Sequence, residues 1–207
     1  TGQKLRRCEL KTMDRNPTAV RSIPCVRVHD LDEEGRRVVS RIGTGFVVAP
    51  GRVLTALHIV DAAYKCCILE SLLHARREIF IEFPAAGGEA AVELRAEIEE
   101  QFFTASNASE DWVVLRYAPD TVAGAMPLLP GTLQSHYELV PWVSYGYVTR
   151  SGGMALDGDF LPTLVQGSAT RWQVRCNQTA AAHNSSLSGL SGGPCIVRGK
   201  VVAMFVE

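Results

Sequence analysis

Short apolar runs separated by turn residues recur along this 207-residue chain, and they constrain its fold most. Residues 43–58 contain two such runs on either side of Pro50-Gly51, which is the pattern of a β-hairpin. Four further segments have the period-two alternation or apolar character of strands. They are 78–84, 91–99, 140–148 and 200–206. Many short strands with turns between them favour an all-β barrel or sandwich over a helical bundle.

A glycine-rich turn lies near the end of the chain, at residues 189–194, with the sequence Gly-Leu-Ser-Gly-Gly-Pro. It places the hydroxyl of Ser191 beside backbone N–H groups in a conformationally permissive segment, an arrangement suited to acyl transfer. Taken alone, the hexamer is equally compatible with an ordinary turn, because glycine and proline are common turn residues for steric reasons.

Two further residues complete a candidate catalytic set. His58 ends the predicted hairpin, and Asp111 directly precedes the apolar run 112–115. A serine hydroxyl is a poor nucleophile near neutral pH, so it needs a base, and the base needs a group that orients it. We therefore predict Ser191 as nucleophile, His58 as base and Asp111 as the orienting carboxylate. Considered singly, His58 is also explained as an ordinary half-buried histidine, and Asp111 as an aspartate that caps a turn.

The three motifs together resemble those of the chymotrypsin-like (trypsin-like) serine proteases. They are Thr-Ala-x-His at 55–58, Asp-x-x-x-Leu at 111–115 and Gly-x-Ser-Gly-Gly-Pro at 189–194, in the family's order. The sequence looks most similar to bacterial intracellular and HtrA-like peptidase domains. The resemblance implies two antiparallel six-stranded β-barrels with the active site in the cleft between them, and peptide hydrolysis through a Ser-His-Asp triad and an acyl-enzyme intermediate.

The resemblance also divides the chain. The predicted parts are an N-terminal arm (1–19), a first barrel with His58 and Asp111 (20–118), a linker (119–131) and a second barrel with Ser191 (132–207). Relatives continue beyond the strand that ends near residue 206. We therefore expect the C-terminal part to be truncated, and the chain to be the protease domain of a larger regulated protein.

Further site residues follow from the resemblance. The N–H groups of Gly189 and Ser191 would form the oxyanion hole. Ser185, six residues before the nucleophile, would form the floor of the specificity pocket, His183 would lie on the way into it and Val206 in its wall. An uncharged Ser185 disfavours cleavage after lysine or arginine and favours a medium apolar or polar side chain, while His183 leaves an acidic or amide one open. These three residues are the predicted substrate-binding set.

Leu190 stands where zymogen-derived members of the family carry an aspartate that pairs with a newly cut N-terminal amine. Activation by N-terminal cleavage is therefore not expected. Cysteines are also missing at two positions where secreted members form disulfides, occupied here by Ile59 and Leu187. Together with cysteine spacings that match no zinc motif, this favours a reduced, cytoplasmic setting with no metal or cofactor.

Charge and hydropathy limit the partners. The 21 basic and 22 acidic side chains nearly cancel, so nothing argues electrostatically for nucleic acid or an anionic membrane. No apolar stretch approaches the ~20 residues of a membrane span. The expected partners are a protein or peptide substrate and a fused or associated regulatory domain.

Two other functions use the same residues. One is a catalytically silent pseudoprotease that docks peptides by strand addition as a binding or scaffolding module. The other is an esterase, which is disfavoured because the serine lies in a turn of an all-β context and not in a strand-to-helix elbow.

Overall fold

The computed structural model describes residues 17–60, 78–85, 88, 90–102, 110–122, 124–132, 139–148, 152–164, 172–177 and 188–206. Six strands belong to the first half of the chain: β1 (Cys25–Leu31), β2 (Arg37–Ala49), β3 (Arg52–Ala56), β4 (Glu78–Phe83), β5 (Val92–Ile98) and β6 (Trp112–Arg116). The short helices α1 (Pro17–Arg21) and α2 (Leu57–Val60) accompany them, with 3₁₀ turns at Glu100–Phe102 and Pro119–Thr121. None of the helices in these ranges is long and apolar enough to cross a membrane.

The first six strands close into a barrel in the order β1-β2-β3-β6-β5-β4. The predicted hairpin is confirmed, with Val47 of β2 opposite Val53 of β3. Strand β4 alternates between partly and fully buried positions and places Ile79, Ile81 and Phe83 inside the barrel. Burial of each such side chain contributes about 1.5–3 kcal/mol, so the alternation read from the sequence directly determines which face is internal.

The second half forms a five-stranded sheet within the described residues. Its strands are β7 (Val140–Val148), β8 (Gly152–Leu164), β9 (Trp172–Cys176), β10 (Pro194–Val197) and β11 (Lys200–Met204). Their order is β11-β10-β7-β8-β9. The all-β class and the chymotrypsin-like architecture are confirmed, and the described part of the second unit shows five of the six strands expected. The exact domain boundaries stay predictions.

The two units pack against each other through an apolar seam. Ile23 and Phe46 from the first unit join Val143 and Ile196 from the second in one buried cluster. The segment 124–132 bonds to both sides, because Leu128 N–H donates to the Val47 carbonyl and Val201 N–H donates to the Leu129 carbonyl, each at 2.9 Å. The edges of both units are thereby held in one fixed arrangement.

Candidate active site

His58 lies in the first turn after the hairpin. Strand β3 ends at Ala56, and α2 begins at Leu57, whose N–H donates to the Asp111 carbonyl at 3.2 Å. Leu57 and Ile59 point into the barrel core, which leaves the imidazole between them at the surface with 21% of its side chain exposed. The hairpin therefore presents His58 at the edge of the barrel, as predicted.

Asp111 binds His58 in two places. Its Oδ2 lies 2.7 Å from His58 Nδ1, and its Oδ1 accepts the His58 backbone N–H at 2.9 Å. The carboxylate is only 1% exposed, and its residue has a φ of 62°, in the left-handed region that aspartate and asparagine tolerate best among residues with a side chain. A carboxylate facing Nδ1 favours the tautomer with the proton on that atom, so Nε2 carries the basic lone pair.

Ser191 lies in a turn, residues 189–194, that we call the Ser191 turn, and the carbonyls of residues 189, 190, 191 and 193 all accept hydrogen bonds. The Ser191 carbonyl accepts the Thr44 N–H at 2.9 Å, and the Gly189 carbonyl accepts the Thr44 hydroxyl at 2.7 Å. The Leu190 carbonyl accepts the Gly193 N–H at 2.8 Å. In a planar trans peptide the N–H points opposite to the carbonyl, so this last bond also sets the direction of the Ser191 N–H.

The Ser191 turn is also bound to the chain beyond β11. Gly192 N–H donates to the Phe205 carbonyl, and Phe205 N–H donates to the Gly193 carbonyl, both at 2.8 Å. Gly189 has a φ of 94°, which is strongly disfavoured for residues with a side chain, and its place in the oxyanion hole stays a prediction. The turn is thus held between strand β2 of the first unit and the segment that follows β11 in the second.

The side chain of Leu190 anchors the Ser191 turn in the core of the second unit. Its side chain is 3% exposed and belongs to the core cluster with Trp142, Leu156 and Cys195. A Cβ built at Gly146 would lie 2.5 Å from Leu190 Cδ1, so this glycine opens the slot that the leucine fills. Apolar packing therefore holds the residue that precedes Ser191.

Leu190→Ala is expected to destabilise the protein by about 3 kcal/mol, because it empties a closely packed slot. Leu190→Met, which nearly conserves volume, should cost less than about 1.5 kcal/mol. Urea unfolding of both variants measures the difference. Leu129→Ala serves as the control, since Leu129 is 65% exposed; equal losses at positions 129 and 190 would contradict the packing role.

Cys195 follows the Ser191 turn on β10, and the sequence suggests a small buried hydrophobe there. It is 1% exposed within the core of the second unit, and burial raises the pKa of its thiol well above the ordinary value. The thiol is therefore uncharged near neutral pH and unsuited to act as a second nucleophile. Cys25 and Cys176, also described, are likewise buried and not disulfide-bonded.

The predicted substrate-binding residues are only partly described. Val206 is half-buried and packs against the core of the first barrel, and its role in the pocket wall stays a prediction. His183 and Ser185 lie outside the described residues, so their roles stay predictions. Within the ranges that the structure covers, no three His, Cys, Asp or Glu side chains converge as metal ligands would.

Thr44 is a site residue that the sequence does not single out. It lies in the predicted strand, yet it is fully buried and binds the Ser191 turn through both its backbone and its side chain. The available signal is a hydroxyl flanked by two glycines, Gly43 and Gly45, at the start of an otherwise apolar run.

Comparison with known proteins agrees with this geometry. A family model described as a trypsin-like peptidase domain matches residues 43–204. The crystal structure of Deg5 is similar with a TM-score of 0.65 and 14% sequence identity, over 99% of this chain and 85% of that one. At this identity the likeness concerns the fold. No curated protein matches the sequence significantly.

Proposed function

We propose that this chain, which belongs to the trypsin-like peptidase domain family, is a serine endopeptidase that cleaves peptide bonds through an acyl-enzyme intermediate. Membership of the family makes a serine protease the kind of enzyme to expect, and the proposal adds that this member is active. The observation that carries it is the double contact between Asp111 and His58, at 2.7 and 2.9 Å. A turn-capping aspartate has no need to orient an imidazole as well as a backbone N–H.

In the proposed reaction, Ser191 Oγ attacks the scissile carbonyl while His58 Nε2 takes its proton. His58 then gives that proton to the leaving amine as the C–N bond breaks, and an ester to Ser191 remains. Water, deprotonated by His58, attacks the ester, and Ser191 recovers its proton as the acid leaves. Asp111 stabilises the imidazolium in both halves, and the N–H groups of Gly189 and Ser191 stabilise the oxyanion, each by about 3 kcal/mol.

The proposal extends to partners and setting. The substrate is a protein or peptide whose side chain next to the cleaved bond is neither lysine nor arginine, since Ser185 offers no negative charge. A medium apolar or polar side chain fits best there, and His183 leaves an acidic or amide side chain open. Activity does not depend on a cut N-terminus, because Leu190 holds the Ser191 turn by apolar packing. A regulatory domain, fused or associated, and a cytoplasmic location complete the proposal.

Labelling with a fluorophosphonate tests the activity. The probe phosphonylates an activated serine and expels fluoride, and we expect one adduct, found by mass spectrometry on Ser191. Ser191→Ala should abolish the adduct, and His58→Ala should slow it by about 10³-fold or more. Ser40→Ala, which removes a hydroxyl that donates to the Val28 carbonyl at 3.1 Å, should label like the wild type.

The alternatives give different outcomes in the same experiment. Absence of Ser191-dependent labelling would contradict the enzyme and favour a pseudoprotease that binds peptides. Labelling followed by turnover of ester but not peptide substrates would favour an esterase. A library of peptides, analysed by mass spectrometry for the cleaved bond, then measures which side chain is preferred and whether lysine and arginine are disfavoured.

A further inference from the structure

We propose that Thr44 is a positioning residue for catalysis, and that its hydroxyl orients the Ser191 turn and couples it to the strand pair that carries His58. This inference rests on the proposed function, since positioning has a kinetic consequence only if Ser191 reacts. It assigns to a strand residue of the first barrel a role in a turn of the second, 145 residues away along the chain.

All the polar groups of Thr44 are hydrogen-bonded, and three of its four bonds reach residues of the second unit. Its hydroxyl donates to the Gly189 carbonyl at 2.7 Å and accepts the Tyr147 N–H at 3.0 Å. Its own N–H donates to the Ser191 carbonyl at 2.9 Å, and its carbonyl accepts the Thr55 hydroxyl at 2.7 Å. A hydroxyl can donate once and accept from others, so the neighbours on both sides determine its orientation.

The bond to Gly189 matters because of where it acts. Glycine at a φ of 94° has no Cβ to restrict the peptide planes on either side of it. The Thr44 hydroxyl restrains the peptide plane between Gly189 and Leu190 by its bond to the Gly189 carbonyl. The N–H of Gly189, in the peptide plane before it, belongs to the predicted oxyanion hole. Without the Thr44 hydroxyl, the Gly189 carbonyl and the Tyr147 N–H both lose a buried hydrogen-bond partner. The Gly189 carbonyl can then regain a partner only if its peptide plane rotates.

The same residue connects the base to the nucleophile. Thr55, which donates to the Thr44 carbonyl, lies on β3 three residues before His58. Strand β2, with Thr44, therefore contacts the hairpin end that delivers the imidazole and the turn that delivers the serine. A shift of the Ser191 turn relative to this strand changes the distance over which the proton must move.

Two matched pairs of variants isolate the hydroxyl. Wild type and Thr44→Val differ chiefly by hydroxyl against methyl, and Thr44→Ser and Thr44→Ala differ by hydroxyl against hydrogen. All four keep the backbone N–H that bonds to Ser191. In each pair, we expect the variant without the hydroxyl to have a kcat and a rate of phosphonylation about tenfold lower than its partner, with KM changed less than about twofold. Thr44→Ser should keep kcat within about threefold of the wild type.

A control separates positioning from stability. Ser22, outside the Ser191 turn, has a buried hydroxyl that accepts the Met126 N–H at 2.9 Å. Ser22→Ala should lower the urea midpoint without lowering kcat per folded molecule. Hydrogen exchange of the Gly192 and Gly193 amides should quicken in Thr44→Val and Thr44→Ala and stay unchanged in Ser22→Ala.

The outcomes distinguish this inference from the proposed function. If the wild type reacts with the probe and both hydroxyl-free variants react equally fast per folded molecule, the positioning role of Thr44 is overturned and the protease remains. If the wild type itself does not react at Ser191, the proposed function fails and the catalytic role of Thr44 with it. If Thr44→Val does not fold, the comparison of Thr44→Ser with Thr44→Ala decides in the same way.

Discussion

Asp111→Asn is expected to lower kcat about 10⁴-fold near neutral pH, the order of loss found when this carboxylate becomes an amide in a chymotrypsin-type triad. The amide keeps an oxygen that can accept the His58 backbone N–H, now 2.9 Å from Oδ1. Its NH₂ group then faces His58 Nδ1, where Oδ2 lies at 2.7 Å. Two donors cannot share that contact, so Nδ1 becomes the acceptor and the proton moves to Nε2. The imidazole can then no longer take a proton from Ser191.

Asparagine is the right substitution because of the backbone at this position. The φ of 62° at Asp111 is costly for most residues, and asparagine adopts it about as easily as aspartate. Asp111→Ala would mix that strain with the loss of the carboxylate. Steady-state turnover of a peptide substrate, normalised to the folded fraction by circular dichroism, measures the effect of the amide alone.

Asp159→Asn provides the matched control. Asp159 is another fully buried aspartate, bonded through Oδ2 to Arg175 at 2.7 Å in the second sheet, away from His58. Its replacement weakens an ion pair and should reduce stability while kcat per folded molecule stays within about twofold of the wild type. A fall in kcat of similar size in both variants would show that buried charge in general, and not orientation of His58, limits turnover.

The hairpin and strand β4 could be predicted because their signals are local. A Pro-Gly pair between apolar runs marks the β2–β3 turn, and strict alternation marks Glu78–Phe83. Strand β8 has no such signal, since Gly152–Leu164 includes glycines and aspartates that are rare in strands. Gly158 is required by a neighbour: a Cβ there would lie 1.8 Å from the Arg175 carbonyl on β9. Contacts of that kind depend on the folded sheet and leave no local pattern.

The candidate site, too, could be predicted only in part from the sequence. The order of His58, Asp111 and Ser191, with their flanking motifs, predicts the site residues, but the two bonds between Asp111 and His58 exist only once β3 and β6 pair. The left-handed backbone at Asp111 has no sequence signature, because aspartate is common in turns and caps of every kind. Thr44 is hidden for a further reason: its partners are 103 and 145 residues away.

Gly192→Ala is expected to cause the largest loss of stability of any single substitution proposed here, about 4 kcal/mol or more. A Cβ at this position would lie 2.0 Å from the Thr44 carbonyl oxygen, 2.4 Å from Thr55 Oγ1 and 2.9 Å from the Ala56 N atom. Two of these atoms are backbone of β2 and β3, and the third is a buried hydroxyl, so no flexible side chain can move aside. The Ser191 turn would have to separate from the first barrel.

Part of this cost is conformational and part is steric, and the chain offers a control that separates them. Gly192 has a φ of 86° and Gly35 a φ of 75°, yet a Cβ at Gly35 meets nothing within 4 Å. Gly35→Ala should therefore cost only the backbone strain, about 1–2 kcal/mol. Urea unfolding of both variants, with the slope of the transition compared, measures the steric part as the difference. Equal losses of stability in the two variants would mean that the Ser191 turn does not closely contact the first barrel at Gly192.

The steric part has a consequence for catalysis as well. The contact that excludes a side chain at Gly192 adjoins the Thr44 N–H to Ser191 carbonyl bond, which is 2.9 Å long. Separation wide enough to accept the alanine methyl would break that bond and carry the serine away from the strand pair that ends at His58. The folded fraction of Gly192→Ala should therefore be phosphonylated at least about 10²-fold more slowly than the wild type, since a displacement of about 1 Å has effects of that order. Labelling at the wild-type rate would contradict the close approach of the turn to β2.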